Sequence, residues 1–228
     1  MRGSNSKTKS HPGGQHNSRA MGKEATLLYS GGMDSTLILH QCLAEYRSTT
    51  NRVKNDITTV HAVSFAYGQR HGKELVYATR YLKQFENVSH QIVHLDFDWL
   101  KCSLLSDNRS FNPDDCPIVP GRNSIMISIA ASVAMQRGSD LVFIGANKTD
   151  LDLFPDCRSD YLRGIGEALL KQGNIHLIAP LMGMTKSEIA DAGTALGIDW
   201  AMTWSCYKGE KEPCGQCVAC KERTRAGV

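Results

Sequence analysis

The chain has 228 residues, of which 41% are hydrophobic and 21% charged, and its formal net charge is +3. A chain of this length typically forms one domain, and no apolar run approaches the ~20 residues that a membrane-spanning helix needs. Five of the 26 Lys and Arg residues lie within the first 23 residues, which contain no acidic residue. The charge of the remaining chain therefore does not favour a nucleic-acid-binding protein.

The first residues differ in composition from the rest. Residues 1–22 are rich in Ser, Asn, Gly, His and Lys and contain almost nothing apolar. This composition is typical of an expression tag or a disordered leader, and it lacks the apolar centre of a secretory signal. We therefore predict a cytoplasmic protein with no membrane partner. We divide the chain into this leader, an α/β domain over residues 23–200 and a C-terminal segment over residues 201–228.

The segment over residues 27–36, LLYSGGMDST, contains an apolar run, a Ser-Gly-Gly turn and an Asp-Ser pair. This order predicts a strand, a tight turn and the N-terminus of a helix. Gly31 and Gly32 let backbone amides approach an anion, and the helix N-terminus adds positive potential, so a phosphate fits there. No Lys follows the glycines, as it would in a Gly-Lys-Ser/Thr phosphate loop. The alternative is an ordinary strand–helix turn with a Ser or Asp cap.

The later elements alternate along the chain. Apolar periodicity predicts helices over residues 36–46, 73–85, 123–137, 160–172 and 185–196. It predicts strands over residues 58–65, 89–95, 141–145 and 175–179, and residues 101–115 form a predicted irregular loop. This alternation predicts a doubly wound, mostly parallel sheet. Because ligands lie beyond the carboxyl ends of such strands, the polar clusters after Phe65, before Asn123 and after Gly145 should meet the Ser30–Ser35 loop.

Two of these clusters carry Arg residues. Arg70 and His71 follow a predicted strand and are suited to phosphate or carboxylate contacts, although a polar loop with surface pairs explains them equally well. Arg122 and Asn123 follow a Pro-Gly turn at a predicted helix N-terminus. They form a second candidate anion site, or simply a turn, a helix cap and a solvated Arg.

The third cluster is acidic. Asp150 and Asp156 can accept hydrogen bonds from the edge of a base or bind Mg²⁺, and Phe154 can stack on a purine or pack in the core. Cys157 has no adjacent base to activate it, so packing or substrate contact is its predicted role. Lys186 lies near a predicted helix start, where it faces a ligand or is an exposed Lys of a capping segment.

Four of the eight cysteines crowd near the end of the chain, at Cys206, Cys214, Cys217 and Cys220. In a reducing compartment disulfides are not expected, so the cluster indicates a metal site. Four thiolates at these short spacings are typical of a closed, structural Zn²⁺ site. An iron–sulfur cluster and a redox Cys-x-x-Cys pair are the alternatives.

Taken together, the motifs resemble those of the 7-cyano-7-deazaguanine (preQ0) synthases, a family of AMP-forming ATP pyrophosphatases. The matching segments, in the family's order, are Tyr-Ser-Gly-Gly-x-Asp-Ser-Thr, Tyr-Gly-Gln-Arg-His, Val-Pro-Gly-Arg-Asn, Gly-x-Asn-x-x-Asp with Pro-Asp-Cys-Arg, Thr-Lys-x-Glu-Ile, and Thr-Trp-Ser-Cys-Tyr with the cysteine tail. They extend over residues 27–223, nearly all of the chain beyond the leader.

The resemblance implies an adenine nucleotide alpha-hydrolase-like fold and a ligase of queuosine biosynthesis. Such an enzyme converts 7-carboxy-7-deazaguanine, ammonia and ATP into preQ0 through adenylated acid and amide intermediates. The resemblance also implies Mg²⁺ with ATP, one structural Zn²⁺ per chain, no stable nucleic-acid partner and a homodimer.

The resemblance and the patterns above together give three sets of candidate residues. The expected ATP-binding set is Tyr29, Ser30, Gly31, Gly32, Met33, Asp34, Ser35, Thr36, Leu37, Ile38 and Leu39. The expected catalytic and substrate-binding set is Arg70, His71, Arg122, Asn123, Asp150, Phe154, Asp156, Arg158 and Lys186. The expected zinc ligands are Cys206, Cys214, Cys217 and Cys220.

The chain departs from the family pattern in several places. Ala66 replaces an Asp, Met33 a common Gln and Phe154 a Tyr, and the segment between Leu105 and Pro120 is short. These departures leave open a variant that stops at the amide and serves DNA modification. A related pyrophosphatase that acts on tRNA is disfavoured because the chain has no extra basic domain. A zinc-dependent nucleic-acid-binding module is disfavoured by the phosphate loop.

Overall fold

The computed structural model describes residues 24–44, 57–70, 72–97, 99 and 118–228. The predicted leader, the predicted site residue His71 and the predicted loop over residues 101–115 lie outside the described residues.

Strands and helices alternate along the described chain, as the periodicity predicts. The strands are β1 (Glu24–Leu28), β2 (Thr59–Ala66), β3 (Val88–His94), β4 (Leu141–Phe143) and β5 (His176–Ile178). The α-helices are α1 (Met33–Leu43), α2 (Lys73–Leu82), α3 (Arg122–Arg137), α4 (Ser159–Gly173), α5 (Lys186–Ala195) and α6 (Val218–Arg225). Short 3-10 helices cover Lys148–Asp150, Pro155–Cys157 and Trp200–Met202. None of the helices in the described part of the chain has the length and apolar character that membrane crossing requires.

The five strands form one sheet in the order β3-β2-β1-β4-β5, and every neighbouring pair is parallel. The chain winds outward from β1 to β3, then returns to β4 on the other side of β1. The prediction of a doubly wound parallel sheet is thus confirmed. The point between β1 and β4, where the strand order reverses, is where folds of this kind bind ligands.

Hydrophobic side chains cover both faces of the sheet. Leu27, Val60 and Phe143 face a core layer that α1, α2 and α5 complete. Val142 faces the opposite layer, which is built mainly from α3 and α4, and Val63 faces an adjoining cluster with α3. Because successive strand residues point to opposite faces, the apolar runs of β1, β2 and β4 are buried on both sides.

Local signals set the ends of several helices. Thr185 and Glu188 form a reciprocal capping box at the start of α5. Helix α3 ends at Arg137, and its C-cap Gly138 has the left-handed conformation that suits glycine. Helix α1 begins at Met33, earlier than the predicted Thr36, because Gly32 is its N-cap and no side chain caps it. The Ser or Asp cap of the alternative interpretation is therefore not present.

Candidate active site

The carboxyl edge of the sheet opens into a cleft of about 270 Å³ between the loops that follow β1, β2 and β4. Polar side chains from the whole described chain line it: Ser30, Asp34, Ser35, Glu74, Arg122, Asn123, Asp150 and Lys186. The predicted clusters before Asn123 and after Gly145 meet the Ser30–Ser35 loop here, whereas the cluster after Phe65 contributes Tyr67 but not Arg70. This meeting follows from the parallel topology, which brings the carboxyl ends of β1 and β4 side by side.

The glycine loop after β1 is a tight turn held by its own serines. The backbone N–H of Ser30 donates to Ser35 Oγ at 3.3 Å, and the N–H of Gly32 donates to Ser30 Oγ at 3.2 Å. Ser35 Oγ in turn donates to the Gly32 carbonyl at 3.3 Å. These bonds fix the turn at the N-terminus of α1, where backbone amides and the helix dipole favour an anion.

Gly31 is required by both conformation and space. Its φ is +83°, and an added Cβ would lie 2.9 Å from the Glu74 carbonyl oxygen and 3.0 Å from Ala78 Cβ. Its own carbonyl accepts the Trp204 backbone N–H at 3.0 Å. The turn is thus packed against α2 on one side and bonded to the C-terminal segment on the other.

Replacing Gly31 with Ala is expected to lower the free energy of unfolding by about 1–3 kcal/mol, because the side chain adds strain at a positive φ and a clash with α2. Thermal or urea unfolding measures the loss. Gly164→Ala in α4 is the matched control, since a Cβ there meets nothing within 4 Å. Equal stability of the two variants would contradict the proposed packing of the turn.

Asp34 and Lys186 form an ion pair at the base of the loop. Lys186 Nζ lies 2.5 Å from Asp34 Oδ2, and each side chain is only 18% exposed. Asn147 Nδ2 donates to Asp34 Oδ2 at 3.2 Å and to Asp150 Oδ2 at 2.5 Å. One cation, one amide and two carboxylates therefore share a partly buried network beside the glycine loop.

Burial and neighbouring charges shift the pKa values of Asp150 and Lys186 in this network. Burial raises the pKa of Asp150 to about 6, and Lys186 offsets part of this rise. Burial of Lys186 opposes its charge, yet Asp34 and Asp150 outweigh burial and raise the pKa of Lys186. Lys186 is therefore a cation at neutral pH. The pKa of Asp150 lies about one unit below neutral pH.

Asp34 Oδ1 is buried and has no hydrogen-bond partner in the described structure. A buried carboxylate oxygen without a donor is costly unless a ligand satisfies it. Mg²⁺ takes carboxylate oxygens together with substrate phosphates, and Asp150 supplies a second carboxylate nearby. The residues therefore fit a magnesium ion that accompanies a nucleotide.

A second polar group surrounds Arg122 at the start of α3. Arg122 Nη1 donates to the Tyr67 hydroxyl at 3.4 Å. Burial opposes the guanidinium charge, but Tyr67, Tyr207 and Glu74 outweigh it and raise the pKa of Arg122. Arg122 is thus a fixed cation in the cleft, suited to a carboxylate or a phosphate.

The predicted residues of the third cluster separate in the structure. Phe154 lines the cleft. Asp156 Oδ2 instead accepts the backbone N–H of Asn123 at 3.4 Å, beside the start of α3. Arg158 is exposed, and its Nε donates to the Leu151 carbonyl at 3.1 Å. Neither Asp156 nor Arg158 is among the cleft-lining residues.

The remaining predicted residues lie around the cleft. Thr36, Leu37, Ile38 and Leu39 are fully buried beneath the glycine loop, so their side chains support it from the core. Arg70 is half-buried and does not line the cleft.

The four clustered cysteines meet at one point. Their Sγ atoms all lie within 4.8 Å of one another, and those of Cys214 and Cys220 are 3.9 Å apart. Tetrahedral coordination with Zn–S bonds of ~2.3 Å places sulfur atoms about 3.8 Å apart. The backbone N–H of Cys214 donates to Cys206 Sγ, and that of Cys217 donates to Cys214 Sγ. The cluster fits a metal ion such as Zn²⁺.

The cysteine segment also forms part of the cleft wall. Tyr207 and Ala219 line the cleft, and Trp204 Nε1 donates to the Cys206 carbonyl at 3.0 Å. Lys73 Nζ lies 4.2 Å from the centre of a Trp204 ring and donates to the Glu210 carbonyl at 3.1 Å. The segment is therefore attached to both α2 and the glycine loop.

Sequence reasoning missed several residues of the site. Asn147 bridges the two carboxylates, but its position after a predicted strand was its only distinguishing feature in the sequence. Glu74 has the appearance of an ordinary acidic residue in the first turn of α2. Trp204 and Tyr207 were visible only as neighbours of Cys206.

Several known proteins are similar to this chain. Residues 24–227 match the model of the family described as queuosine biosynthesis protein QueC. The chain is 38% identical over 221 residues to the 7-cyano-7-deazaguanine synthase of Thermoplasma volcanium, covering 90% of this chain and 86% of that protein. It is 35% identical over 221 residues to the 7-cyano-7-deazaguanine synthase of Nostoc punctiforme, covering 89% and 94% of the two chains. The solved NH3-dependent NAD synthetase of Campylobacter jejuni aligns with 80% of this chain and 68% of its own at 19% identity, with a TM-score of 0.49.

Proposed function

The chain belongs to the QueC family of queuosine biosynthesis proteins, and from this premise we propose that it converts 7-carboxy-7-deazaguanine, ammonia and ATP into 7-cyano-7-deazaguanine. The enzyme is an AMP-forming C–N ligase. The observation that carries the proposal is the cleft in which the glycine loop, the Asp34–Lys186 pair and Arg122 face one another.

The reaction has two activation steps. The carboxylate attacks the α-phosphate of ATP, which releases pyrophosphate and gives an acyl adenylate. Ammonia attacks the acyl carbon, and AMP leaves with one former carboxylate oxygen. The amide oxygen then attacks the α-phosphate of a second ATP and releases a second pyrophosphate, and loss of both amide protons and of AMP gives the nitrile. Each adenylation replaces a poor leaving group, an oxide or hydroxide, with AMP.

The glycine loop is suited to hold the departing pyrophosphate. Its backbone amides and the start of α1 present fixed positive dipoles where negative charge accumulates, so little reorganisation is needed. Holding ATP and the acid in one cleft also replaces a bimolecular encounter with a positioned one.

Lys186 and Asp34 divide two tasks in this proposal. The Lys186 ammonium neutralises a phosphate oxygen, and Asp34 keeps that ammonium in place beside the loop. Asp34 Oδ1 and Asp150 would hold Mg²⁺, which when bound supplies charge neutralisation for the phosphates.

In this proposal the deazapurine binds beside Arg122, at the start of α3. Arg122 is positioned to neutralise the substrate carboxylate before attack, and Phe154 offers a ring for stacking. Asn123 and Asp150 contribute polar contacts. Asp156 acts indirectly, because it holds the backbone of Asn123, and Arg158 supports the loop through Leu151.

Cys206, Cys214, Cys217 and Cys220 would hold Zn²⁺, whose closed four-thiolate site gives structural support rather than chemistry. The proposal also includes the three-segment division of the chain, a cytoplasmic location and a homodimer, none of which the cleft geometry requires.

Activity is expected to depend on pH through Asp150. Because its pKa is about 6, Asp150 loses its charge as the pH falls through that value, and its attraction to Lys186 and to the proposed Mg²⁺ weakens. The catalytic efficiency (kcat/KM) for 7-carboxy-7-deazaguanine should therefore fall about tenfold per pH unit below pH 6. The Asp150→Asn variant should not show this fall in activity at acidic pH. Asp152→Asn, at an exposed position, should still show it. An unchanged fall in the activity of Asp150→Asn below pH 6 would contradict the assignment of this pH dependence to Asp150.

Product analysis tests the proposed function. The protein is incubated with 7-carboxy-7-deazaguanine, ammonium and Mg-ATP, and the products are identified by mass. Nitrile together with two equivalents of AMP supports the proposal. Accumulated amide would instead indicate the amide-forming variant, and an inert mixture would reject both.

A further inference from the structure

The turn that follows β2, Tyr67-Gly68-Gln69, is part of the motif Tyr-Gly-Gln-Arg-His, and the mechanism above gives it no task. Tyr67 lines the cleft, whereas Arg70 of the same motif does not. Tyr67 is also buried, with only 4% of its surface exposed. A buried side chain with a polar end in a substrate cleft is a candidate for orienting a neighbour that contacts the ligand.

Gln69 fixes the backbone of this turn. Gln69 Oε1 accepts the Tyr67 backbone N–H at 2.7 Å, and Gln69 Nε2 donates to the Phe65 carbonyl at 2.8 Å. Gln69 Nε2 also donates to Glu74 Oε1 at 3.2 Å, which joins the turn to α2. Both ends of the amide are used, so its orientation is determined, and the side chain is only 7% exposed. The backbone of Tyr67 is therefore held between β2 and α2.

Packing fixes the Tyr67 ring. The centres of the Tyr67 and Phe97 rings lie 5.7 Å apart. Tyr67 belongs to the buried cluster that also contains Val119 and Met126. Val119 precedes Arg122 in the turn before α3, and Met126 follows Arg122 by one helical turn. The ring is therefore anchored against the segment that begins α3.

The Tyr67 hydroxyl contacts the guanidinium of Arg122. It accepts a hydrogen bond from Arg122 Nη1 at 3.4 Å. A guanidinium is planar and carries five N–H donors, so a bond at one nitrogen limits rotation of the plane without using the other donors. A long side chain loses rotamer freedom when it binds a ligand, and a neighbour that orients it beforehand reduces this cost.

The two activation steps place different demands on Arg122. The first step begins with a carboxylate, whose charge the guanidinium neutralises, whereas the second begins with a neutral amide. Hydrogen bonds between ionised groups are roughly twice as strong as those between neutral groups. A residue that acts through Arg122 should therefore affect the acid much more than the amide. A general loosening of the cleft should affect both ligands alike.

We propose that Tyr67, held by Gln69, is a positioning residue that orients Arg122 for the carboxylate of the acid substrate. Tyr67 thereby contributes to the first activation step and not to the second. This inference rests on the proposed function, which places Arg122 at that carboxylate. The contribution is to substrate binding, because the carboxylate is charged before it attacks ATP.

Calorimetric binding without ATP compares 7-carboxy-7-deazaguanine with 7-amido-7-deazaguanine, the amide intermediate. Tyr67→Phe should weaken binding of the acid about tenfold, the lower end of the range for a hydrogen bond to a charged group, and binding of the amide less than about twofold. In steady-state AMP formation from the acid, KM for the acid should rise about tenfold while kcat stays within about twofold.

Tyr81→Phe is the matched control. It also removes the hydroxyl of a buried tyrosine, but that hydroxyl is bonded to His40 Nε2 at 2.8 Å, and Tyr81 does not line the cleft. The Tyr81→Phe protein should bind the acid and the amide as the wild type does.

A double-mutant cycle tests whether Tyr67 acts through Arg122. Arg122→Met alone should weaken binding of the acid about 10- to 100-fold. Adding Tyr67→Phe to Arg122→Met should change the affinity for the acid less than about twofold, because the group that Tyr67 orients is gone. Gln69→Leu frees the turn without altering the Tyr67 ring. It should repeat the acid-selective loss, and it replaces Tyr67→Phe if that variant does not fold.

The outcomes separate this inference from the proposed function. Equal weakening of the acid and the amide in a folded Tyr67→Phe protein, or unchanged binding of both, would overturn the role of Tyr67. A tenfold effect that persists in the Arg122→Met background would overturn it as well. If Arg122→Met binds the acid as tightly as the wild type, the placement of Arg122 fails, and this inference fails with it. If the wild type binds neither ligand, the proposed function itself fails.

Discussion

Replacing Asp34 with Asn is expected to reduce AMP formation at saturating ATP by about 10³-fold. The substitution keeps the size of the side chain but removes the charge that holds Lys186, whose ammonium lies 2.5 Å from Asp34 Oδ2. It also removes the negative charge of the group proposed as a magnesium ligand. Two electrostatic contributions at the departing pyrophosphate are thus weakened together. AMP release is measured by chromatography under single-turnover and steady-state conditions.

Asp191→Asn is the matched control for this variant, since Asp191 is an exposed acid on α5, the helix that carries Lys186. It should release AMP at the wild-type rate. Circular dichroism and thermal unfolding should show that Asp34→Asn retains the fold. Undiminished AMP release from a folded Asp34→Asn protein would refute the role given to the ion pair.

Disrupting the proposed metal site at the cysteine cluster is expected to abolish nucleotide binding and to lower the free energy of unfolding. Cys217→Ser, at a buried sulfur of the cluster, should lower the free energy of unfolding by at least about 4 kcal/mol, because a closed site contributes directly to folding. The backbone N–H of Trp204 holds the Gly31 carbonyl at 3.0 Å, so loosening the segment also releases the glycine loop. Metal content, unfolding and ATP affinity are measured on the same samples.

Cys42→Ala provides the comparison for the metal-site variant. Cys42 is fully buried in α1 and belongs to the main core, away from the cluster. Its replacement should lower stability modestly while metal content and ATP affinity persist. A metal-free Cys217→Ser protein that binds ATP as tightly as the wild type would show that the cluster and the loop are independent.

The sequence was sufficient for the architecture and for the glycine loop. The apolar runs of β1, β2 and β4 are long enough to indicate strands, and the helices between them carry clear periodicity. Parallel topology then requires that the loops after these strands share one edge, so the meeting of Ser30 with Asp150 was predictable. The cysteine cluster was equally predictable, because its spacing is local.

Contacts between distant residues were not predictable in the same way. Lys186 and Asp34 are 152 positions apart, and their pairing depends on how α5 packs against α1. Asp156 and Arg158 stand in a polar motif as conspicuous as Asp150, yet they bind backbone groups instead of facing the cleft. Glu74 becomes distinctive only when Gln69 folds back onto it. The local sequence does not indicate which side chains of a loop will face a cavity.

The fate of the carboxylate oxygens tests the central claim most directly. 7-Carboxy-7-deazaguanine labelled with ¹⁸O in both carboxylate oxygens is turned over with ammonium and Mg-ATP, and the nucleotide products are analysed by mass. Adenylation at both stages predicts two AMP molecules per nitrile, each carrying one ¹⁸O, and no ADP. Unlabelled AMP, or ADP in its place, would contradict attack of the substrate oxygen on the α-phosphate.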